Sequence, residues 1–286
     1  MIDWPDPLVD EIARRRAVIV VGSGISKNSV NKEGKSPPTW SEFLHIALAQ
    51  CPKDEKAIRA KLRHGDYLTA CDWLKHRLDE NWNNLLRAQF VEPAYAPAEI
   101  HKSIFQLDAR FVVTPNFDKI YDNLCTTESD GTVIIKNYYD DDIADVLRGN
   151  KRAILKAHGT IDAPARMVFT REDYARVRTE NAAFYEILEA LLITNTFVFV
   201  GCGTDDPDFR FLLEKYQFSN RYKSPHYMTL ANPLNADQIR TLRNTMNVKL
   251  LGYSANDQHK ELKVSLTYLG ELVDARREAI AEKRAW

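Results

Sequence analysis

The sequence predicts a doubly wound, parallel α/β sheet with a helical insertion after its first strand. Two observations support this prediction. Short apolar runs recur along the chain, and most of them lack polar alternation, which is typical of strands covered on both faces. Amphipathic helical patterns lie between the later runs, as in "DFRFLLEKY" from Asp208 and "NADQIRTLRNT" from Asn235. This alternation of strands and helices favours a parallel sheet of Rossmann-like type.

The strand candidates share a short length and a high content of β-branched and aromatic residues. In chain order they are "AVIVV" from Ala17, "FVVT" from Phe111, "VIIKNY" from Val133, "AILKAHG" from Ala153, "FVFVG" from Phe197, "HYMTL" from His226 and "VKLLGY" from Val248.

Residues 39–107 interrupt the alternation of strands and helices, because they contain no apolar run that is typical of a strand. "TWSEFLHIALAQ" opens with a capping box from Thr39 to Glu42, and "GDYLTACDWLKHRL" and "NWNNLLRAQF" also have helical patterns. We therefore expect one domain over residues 1–286, with residues 39–107 as a helical insertion within it. Near the C-terminus an apolar stripe at helical spacing predicts either core or a partner surface: Leu262, Leu266, Leu269, Val273 and Ile280.

Composition excludes several classes of function. The 286 residues are 44% hydrophobic, and 39 basic residues nearly balance 40 acidic ones, so charge gives no reason to expect nucleic-acid or membrane binding. No apolar stretch approaches the roughly 20 residues of a membrane helix, and the acidic N-terminus has no signal-peptide core. We therefore expect a cytoplasmic protein. The four cysteines are scattered and indicate neither a zinc ribbon nor a disulfide framework: Cys51, Cys71, Cys125 and Cys202.

Ligands of open parallel sheets bind beyond the carboxyl ends of the strands, so the residues after each strand are the site candidates. After the first strand, Gly22, Ser23 and Gly24 form a glycine turn, followed by Ser26. Such a turn lets backbone N–H groups approach a phosphate. The dinucleotide fingerprint G-x-G-x-x-G is incomplete, because Lys27 occupies the third glycine position. Taken alone, the turn either binds a phosphate or only reverses the direction of the chain.

Polar residues also follow the second and fourth strands. Asn116 and Asp118 come after "FVVT", where they either face a ligand or cap the next helix. His158 and Gly159 follow "AILKA". An imidazole with a pKa of about 6.5 suits proton abstraction at neutral pH, although a lone histidine is also a common structural residue.

After the fifth strand comes "GCGTDDPDF". Asp206 and Pro207 have the pattern of a helix N-cap and first helical residue. A capped helix N-terminus beside Gly201 and Gly203 is also suited to an anion, so the structural and functional readings are compatible.

In their order and spacing, "GSGIS", "TPNFD", "HG" and "GCGTDDPDF" resemble the motifs of the sirtuin-like superfamily, from about Val18 to Tyr253. "PPTW" and the late "D-P-D" look closer to bacterial sirtuin-like NAD hydrolases of antiviral defence than to protein deacylases. Ser23, Pro115 and Gly203 depart from the usual alanine, glutamine and serine. No cysteine lies between His158 and Phe197, where deacylases carry a zinc module, so no zinc is expected.

The resemblance implies that NAD is bound as a substrate. Asn116 would hold the nicotinamide ribose or the attacking water, Asp118 would contact the nicotinamide carboxamide, and His158 would be the general base. Gly22, Ser23 and Gly24 would cradle the diphosphate. The other residues implied in NAD binding are Ser26, Gly201, Gly203, Thr204 and Asp206, of which Asp206 would mainly fix the helix start.

Three hypotheses for the function remain open. The first is an NAD hydrolase that yields nicotinamide and ADP-ribose, as an antiviral effector that depletes NAD. The second is an NAD-dependent protein deacylase, against which the missing zinc module argues. The third is a non-catalytic NAD or ADP-ribose sensor, against which Asn116 and His158 argue. A dehydrogenase is disfavoured by the incomplete glycine fingerprint and the helical insertion.

A free NAD hydrolase would drain its own cell, so we expect it to be restrained. The resemblance implies either a homo-oligomer or a HerA-type ring ATPase as partner, with an Argonaute-type protein as the weaker candidate. The shortness of the chain also leads us to expect that its trigger is a separate protein.

Overall fold

The computed structural model describes residues 1–51, 55–204, 206–219 and 224–283. The strands found among them are β1 Ala17–Val21, β2 Phe111–Thr114, β3 Ile134–Asn137, β4 Ala153–Lys156, β5 Thr196–Val200, β6 His226–Ala231 and β7 Val248–Tyr253. They form one sheet in the order β3-β4-β2-β1-β5-β6-β7, and every neighbouring pair is parallel. The predicted Rossmann-like α/β fold is thereby confirmed.

The helices lie between the strands and on both faces of the sheet. They are α1 Asp6–Ala13, α2 Ser23–Ser26, α3 Trp40–Ala49, α4 Lys56–Arg63, α5 Tyr67–Leu78, α6 Glu80–Phe90, α7 Glu99–Gln106, α8 Ile120–Glu128, α9 Ile143–Arg148, α10 Arg171–Glu180, α11 Ala182–Thr194, α12 Pro207–Ser219, α13 Ala236–Met246 and α14 Asn256–Glu282. A short 3₁₀ helix spans Pro164–Arg166. No helix in the described part of the chain is long and apolar enough to cross a bilayer.

Successive residues of the central strands point into two separate hydrophobic cores. In β1, Val18 and Val20 pack with one core, whereas Ile19 and Val21 pack with the other. All five residues of β1 are buried. A strand covered on both faces has no reason to alternate polar and apolar residues, which explains the uninterrupted apolar runs in the sequence.

Helices α3 to α7 follow one another between β1 and β2, in the segment predicted as an insertion. Described residues within 39–107 include no strand, although Ala96 forms an isolated bridge with Val30. The predicted capping box is present: the Thr39 N–H donates to Glu42 Oε2 (2.7 Å), and the Glu42 N–H donates to Thr39 Oγ1 (3.4 Å). Helices α3 to α6 enclose a third core around Phe43, which also takes in Phe169 from the loop after β4.

The C-terminal apolar stripe is core. All five of its residues are buried on α14, which packs against α1 and α7. This outcome resolves the two alternatives that the sequence left open for the stripe. The four cysteines are free thiols, three of them buried and Cys202 partly exposed.

Candidate functional site

The sheet order places β2 on one side of β1 and β5 on the other, so a crevice opens at the carboxyl ends of these strands. A cavity of about 680 Å³ lies there. Helices α3, α5 and α6 of the segment between β1 and β2 contribute part of its wall through Trp40, Tyr67 and Phe90. A cavity of this size lies within the usual range for small-molecule sites.

Most of the residues selected from the sequence line this cavity. Those that do are Gly22, Ser23, Ser26, Asn116, Asp118, His158, Gly203, Thr204 and Asp206. Gly24 and Gly201 are not among the lining residues. The side chains that reasoning from the sequence missed include aromatic residues of the wall, such as Trp40, whose ring stacks on Phe169 at 5.0 Å between centroids.

The turns after β1 and β5 pack directly against each other. The Gly24 N–H donates to the Gly201 carbonyl oxygen (3.0 Å), and the Gly22 N–H donates to the Val200 carbonyl oxygen (3.0 Å). A Cβ atom on Gly22 would lie 2.4 Å from the Gly201 oxygen, and Gly201 itself has φ +65°. These glycines are therefore required by the close approach of two backbone segments, independently of any ligand.

Asn116, Ser26 and Asp118 form a hydrogen-bonded chain at the cavity wall. The Asn116 amide nitrogen donates to Ser26 Oγ (3.1 Å), and Ser26 Oγ donates to Asp118 Oδ2 (2.8 Å). Asp118 Oδ1 accepts from the Ile120 N–H at the start of α8 (3.0 Å), although the N-cap residue of this helix is Lys119, not Asp118. Because its nitrogen is committed to Ser26, the Asn116 side chain offers its carbonyl oxygen as an acceptor.

A buried lysine ties this loop to β4. Lys156 Nζ donates to the Asp118 carbonyl oxygen and to Asp122 Oδ2, both at 2.7 Å. Both side chains of this ion pair are almost fully buried. Burial raises the pKa of Asp122, although the Lys156 charge opposes that shift. Since Lys156 lies two residues before His158, it connects the segments that carry Asn116 and His158.

His158 lies at the cavity with its imidazole between carboxylates and an aromatic ring. Its Nε2 atom is 3.6 Å from Asp206 Oδ2 and 3.6 Å from Asp208 Oδ2. The Tyr174 ring meets it edge-on at 5.1 Å between centroids. Burial disfavours the imidazolium, but the charges of Asp206 and Asp208 prevail and raise the pKa of His158.

The two carboxylates have different partners. Asp206 Oδ1 accepts the N–H groups of Asp208 (3.0 Å) and Phe209 (3.1 Å), which confirms the predicted N-cap of α12. Burial raises the pKa of Asp206 against the opposing charge of His158. Asp208 Oδ1 accepts from Arg178 Nε (2.7 Å), and its Oδ2 accepts from the Tyr185 hydroxyl (2.8 Å). Burial opposes ionisation of Asp208, but its contacts with His158, Tyr185 and Arg178 prevail and lower its pKa.

Reasoning from the sequence did not select Asp208 or its partners. Asp208 is visible in the "D-P-D" pattern, but Arg178 and Tyr185 come from α10 and α11, and nothing in their local sequence connects them to α12. In the described part of the chain, no group of three or more His, Cys, Asp or Glu residues is arranged to hold a metal ion.

The sequence profile of the SIR2-like domain matches residues 110–251, slightly less than half of the chain. This match covers β2 to β7 except for the last residues of β7, and it includes Asn116, His158 and Asp208.

Curated relatives match a larger part of the chain at low identity. The "NAD(+) hydrolase ThsA" of Enterococcus faecium is 25% identical over 235 residues, which cover 80% of this chain and 46% of that protein. The protein of the same name from Acinetobacter baumannii is 22% identical over 81% of this chain and 46% of its own length. A third, from Cytobacillus dafuensis, is 29% identical over 50% of this chain and 29% of its own length. The chain thus spans about half the length of the first two relatives.

Proposed function

We propose that this chain hydrolyses NAD to nicotinamide and ADP-ribose. The observation that carries the proposal is that Asn116 and His158 line one cavity at the carboxyl edge of a parallel sheet. The match to the SIR2-like profile and the printed names of the relatives support the same activity.

The reaction suits a site with few catalytic groups. Nicotinamide is cationic in NAD and leaves as a neutral molecule, so no general acid has to protonate it. The ribosyl group that remains has oxocarbenium character, as in glycoside hydrolysis. The site then has to orient the ribose and deliver water. Asn116 orients the ribose or the water through its carbonyl oxygen, and His158 accepts the proton of the water.

The surroundings of both side chains suit these roles. The Ser26–Asp118 chain fixes the Asn116 amide, and the carboxylates beside His158 stabilise the imidazolium that proton transfer creates. The imidazole has to be neutral before it accepts a proton, so the raised pKa of His158 predicts that activity declines as the pH is lowered, starting at a higher pH than an ordinary histidine would give.

The other contacts with NAD follow from the cavity lining. Gly22 and Ser23 are proposed at the diphosphate, Asp118 at the nicotinamide carboxamide, and Gly203 and Thr204 at the adenosine half. Each of these residues lines the cavity. For Gly24 and Gly201 we propose an indirect role, because they hold the two turns together beside the cavity.

The test is incubation of the purified chain with NAD, with and without an acetyl-lysine peptide, followed by chromatography of the products. We expect ADP-ribose without peptide, and a loss of about 10²-fold or more in Asn116→Ala and in His158→Ala. His45→Ala is the matched control, because His45 is exposed on α3 and does not line the cavity.

Two other outcomes would identify the alternative functions. O-acetyl-ADP-ribose that forms only with the peptide would establish the deacylase, although the region from His158 to Phe197 contains no cysteine for a zinc module. Binding of NAD without any cleavage would establish the sensor. Either result would contradict the hydrolase proposal.

At the level of the cell we propose an antiviral effector that acts in the cytoplasm by depleting NAD. This part rests on the sequence resemblance to bacterial defence proteins and on the need to restrain such an activity. A homo-oligomer or a HerA-type ATPase is proposed as the restraint. Exposed apolar side chains on α11 and α12, namely Ile193, Phe211 and Phe218, support an association surface. Light scattering of the chain alone and with the ATPase tests this proposal.

A further inference from the structure

Asp208 lies behind His158, outside the cavity lining. It lies in the first turn of α12, is 3% exposed and is not among the residues that line the cavity. Its Oδ2 atom is 3.6 Å from His158 Nε2. A substrate in the cavity therefore meets the imidazole but not this carboxylate.

The Asp208 carboxylate is fixed by two other helices. Arg178 Nε on α10 donates to Oδ1 at 2.7 Å, and the Tyr185 hydroxyl on α11 donates to Oδ2 at 2.8 Å. These are charge-assisted hydrogen bonds, the stronger class in proteins. The side chain is thus held in place whether or not a ligand is present.

Asp206 is bound differently, although it also contacts His158. It lines the cavity, and its Oδ1 atom accepts two backbone N–H groups at the start of α12. Its Oδ2 atom accepts from the Tyr174 hydroxyl (3.4 Å) and lies 3.6 Å from His158 Nε2. Among the described residues, the charged or titratable groups around the imidazole are Asp206 at the N-cap of α12, Asp208 on α12, Tyr174 and Arg178 on α10, and Tyr185 on α11. The two acids face the same ring nitrogen.

We propose that Asp208 is a positioning residue that keeps the Nε2–H of His158 directed at α12, so that Nδ1 is the atom that accepts the proton from water. The inference rests on the proposed function. Within the described part of the chain Nε2 is buried and makes no hydrogen bond, but a carboxylate oxygen of Asp206 and one of Asp208 each lie 3.6 Å from it. The negative charge of these two groups favours the tautomer that carries its proton on Nε2, which leaves the lone pair on Nδ1. After proton transfer both nitrogens carry hydrogen, and Asp208 is already placed beside the positive charge.

Asp208→Asn tests the proposal, because it keeps the shape of the side chain and removes its charge. We expect kcat to fall roughly 10²-fold with little change in KM, since the residue does not touch substrate. Loss of a negative charge disfavours the imidazolium, so the pKa of His158 falls. The acid limb of the pH–rate profile and the NMR titration of the His158 ring should both move to lower pH.

The matched control is Asp173→Asn. Asp173 is also a buried acid in the first turn of a helix, but its ion-pair partners are Lys75 and Arg176. The Asp173→Asn variant should have the same acid limb in its pH–rate profile, and the same His158 titration, as the wild type. Asp208→Glu is a second variant in case Asp208→Asn does not fold. Asp208→Glu keeps the negative charge but moves it, because the side chain is longer by one methylene group. We therefore expect kcat to fall while the acid limb of the pH–rate profile stays near its wild-type pH.

The outcomes separate this inference from the proposed function. If NAD is cleaved and a folded Asp208→Asn variant matches Asp173→Asn in kcat and in the His158 titration, Asp208 has no positioning role. If Asp208→Glu retains the full wild-type kcat, placement of the charge does not matter and the inference fails. If the wild type cleaves no NAD while the His158 titration still depends on Asp208, the proposed function is wrong, and the catalytic role of Asp208 falls with it.

Discussion

Lys156 and Asp122 form an ion pair beside the cavity that holds the Asn116 loop to the end of β4. The Lys156 side chain is 1% exposed, that of Asp122 is 5% exposed, and the ammonium also reaches the Asp118 carbonyl. Removing one partner of a buried pair leaves the other charge without compensation in a low-dielectric interior, and that cost exceeds the net stability that the intact pair provides.

We predict that Lys156→Met lowers the free energy of unfolding by about 3–5 kcal/mol, measured by urea denaturation. The double variant Lys156→Met/Asp122→Leu should recover most of this loss, because no buried charge remains. Lys119→Met is the surface control, since the Lys119–Asp162 pair is largely exposed and should contribute about 1 kcal/mol or less. A double variant as unstable as Lys156→Met alone would show that the buried charge is not the cause.

The roles of individual residues were only partly accessible from the sequence. Asn116 and His158 were predicted as site residues because they follow strands, and ligands of open parallel sheets bind beyond the carboxyl ends of the strands. Both residues line the cavity. Asp208 depends on Arg178 and Tyr185, which come from two other helices. Such contacts between distant helices leave no periodic pattern or spacing in the sequence, so only the folded structure reveals them.

Strands and helices were the more predictable features. Each of the seven apolar runs overlaps a strand, and in β1, β2, β4 and β5 every residue is buried, which favours apolar residues along most of the run. Two helix starts were predicted from a capping side chain, at Thr39 and Asp206, and both caps are present. The side-chain caps at Asp66, Thr170 and Asn235 were not predicted. The order of the strands was not predictable, since it depends on how the crossover helices pack rather than on any one segment.

The contact between the turns after β1 and β5 gives a prediction about glycine. A Cβ on Gly22 would lie 2.4 Å from the Gly201 carbonyl oxygen, a backbone atom that cannot rotate away. We therefore expect Gly22→Ala to lower the free energy of unfolding by about 1–3 kcal/mol, as overpacked sites do. Urea denaturation followed by circular dichroism measures the change.

Gly203→Ala is the matched control for this prediction. It lies in the neighbouring turn, and a Cβ there would have no heavy atom within 4 Å among the described residues. It should change the free energy of unfolding by no more than about 0.5 kcal/mol. Equal stability of Gly22→Ala and Gly203→Ala would mean that the two turns separate without cost.

The cavity as a whole joins two parts of the molecule. The carboxyl edge of the sheet supplies Asn116 and His158, and the helices between β1 and β2 supply Trp40, Tyr67 and Phe90. Ion pairs connect these helices to α10 as well, from Arg171 to Asp66 (2.9 Å) and from Lys75 to Asp173 (3.3 Å). A dinucleotide in the cavity would contact both parts and stabilise their association.

We predict that NAD raises the melting temperature of the Asn116→Ala variant, which should bind NAD without consuming it. A ligand at 100 times its Kd adds about 2.7 kcal/mol to the free energy of unfolding, which for a chain of 286 residues is roughly 4–5 °C. Differential scanning fluorimetry measures the shift, with ADP-ribose and nicotinamide alone as controls that fill only part of the cavity and should shift it less. Since any ligand that binds the native state stabilises it, an unchanged melting temperature at millimolar NAD would mean that this cavity does not hold the dinucleotide, whatever the arrangement of Asn116 and His158.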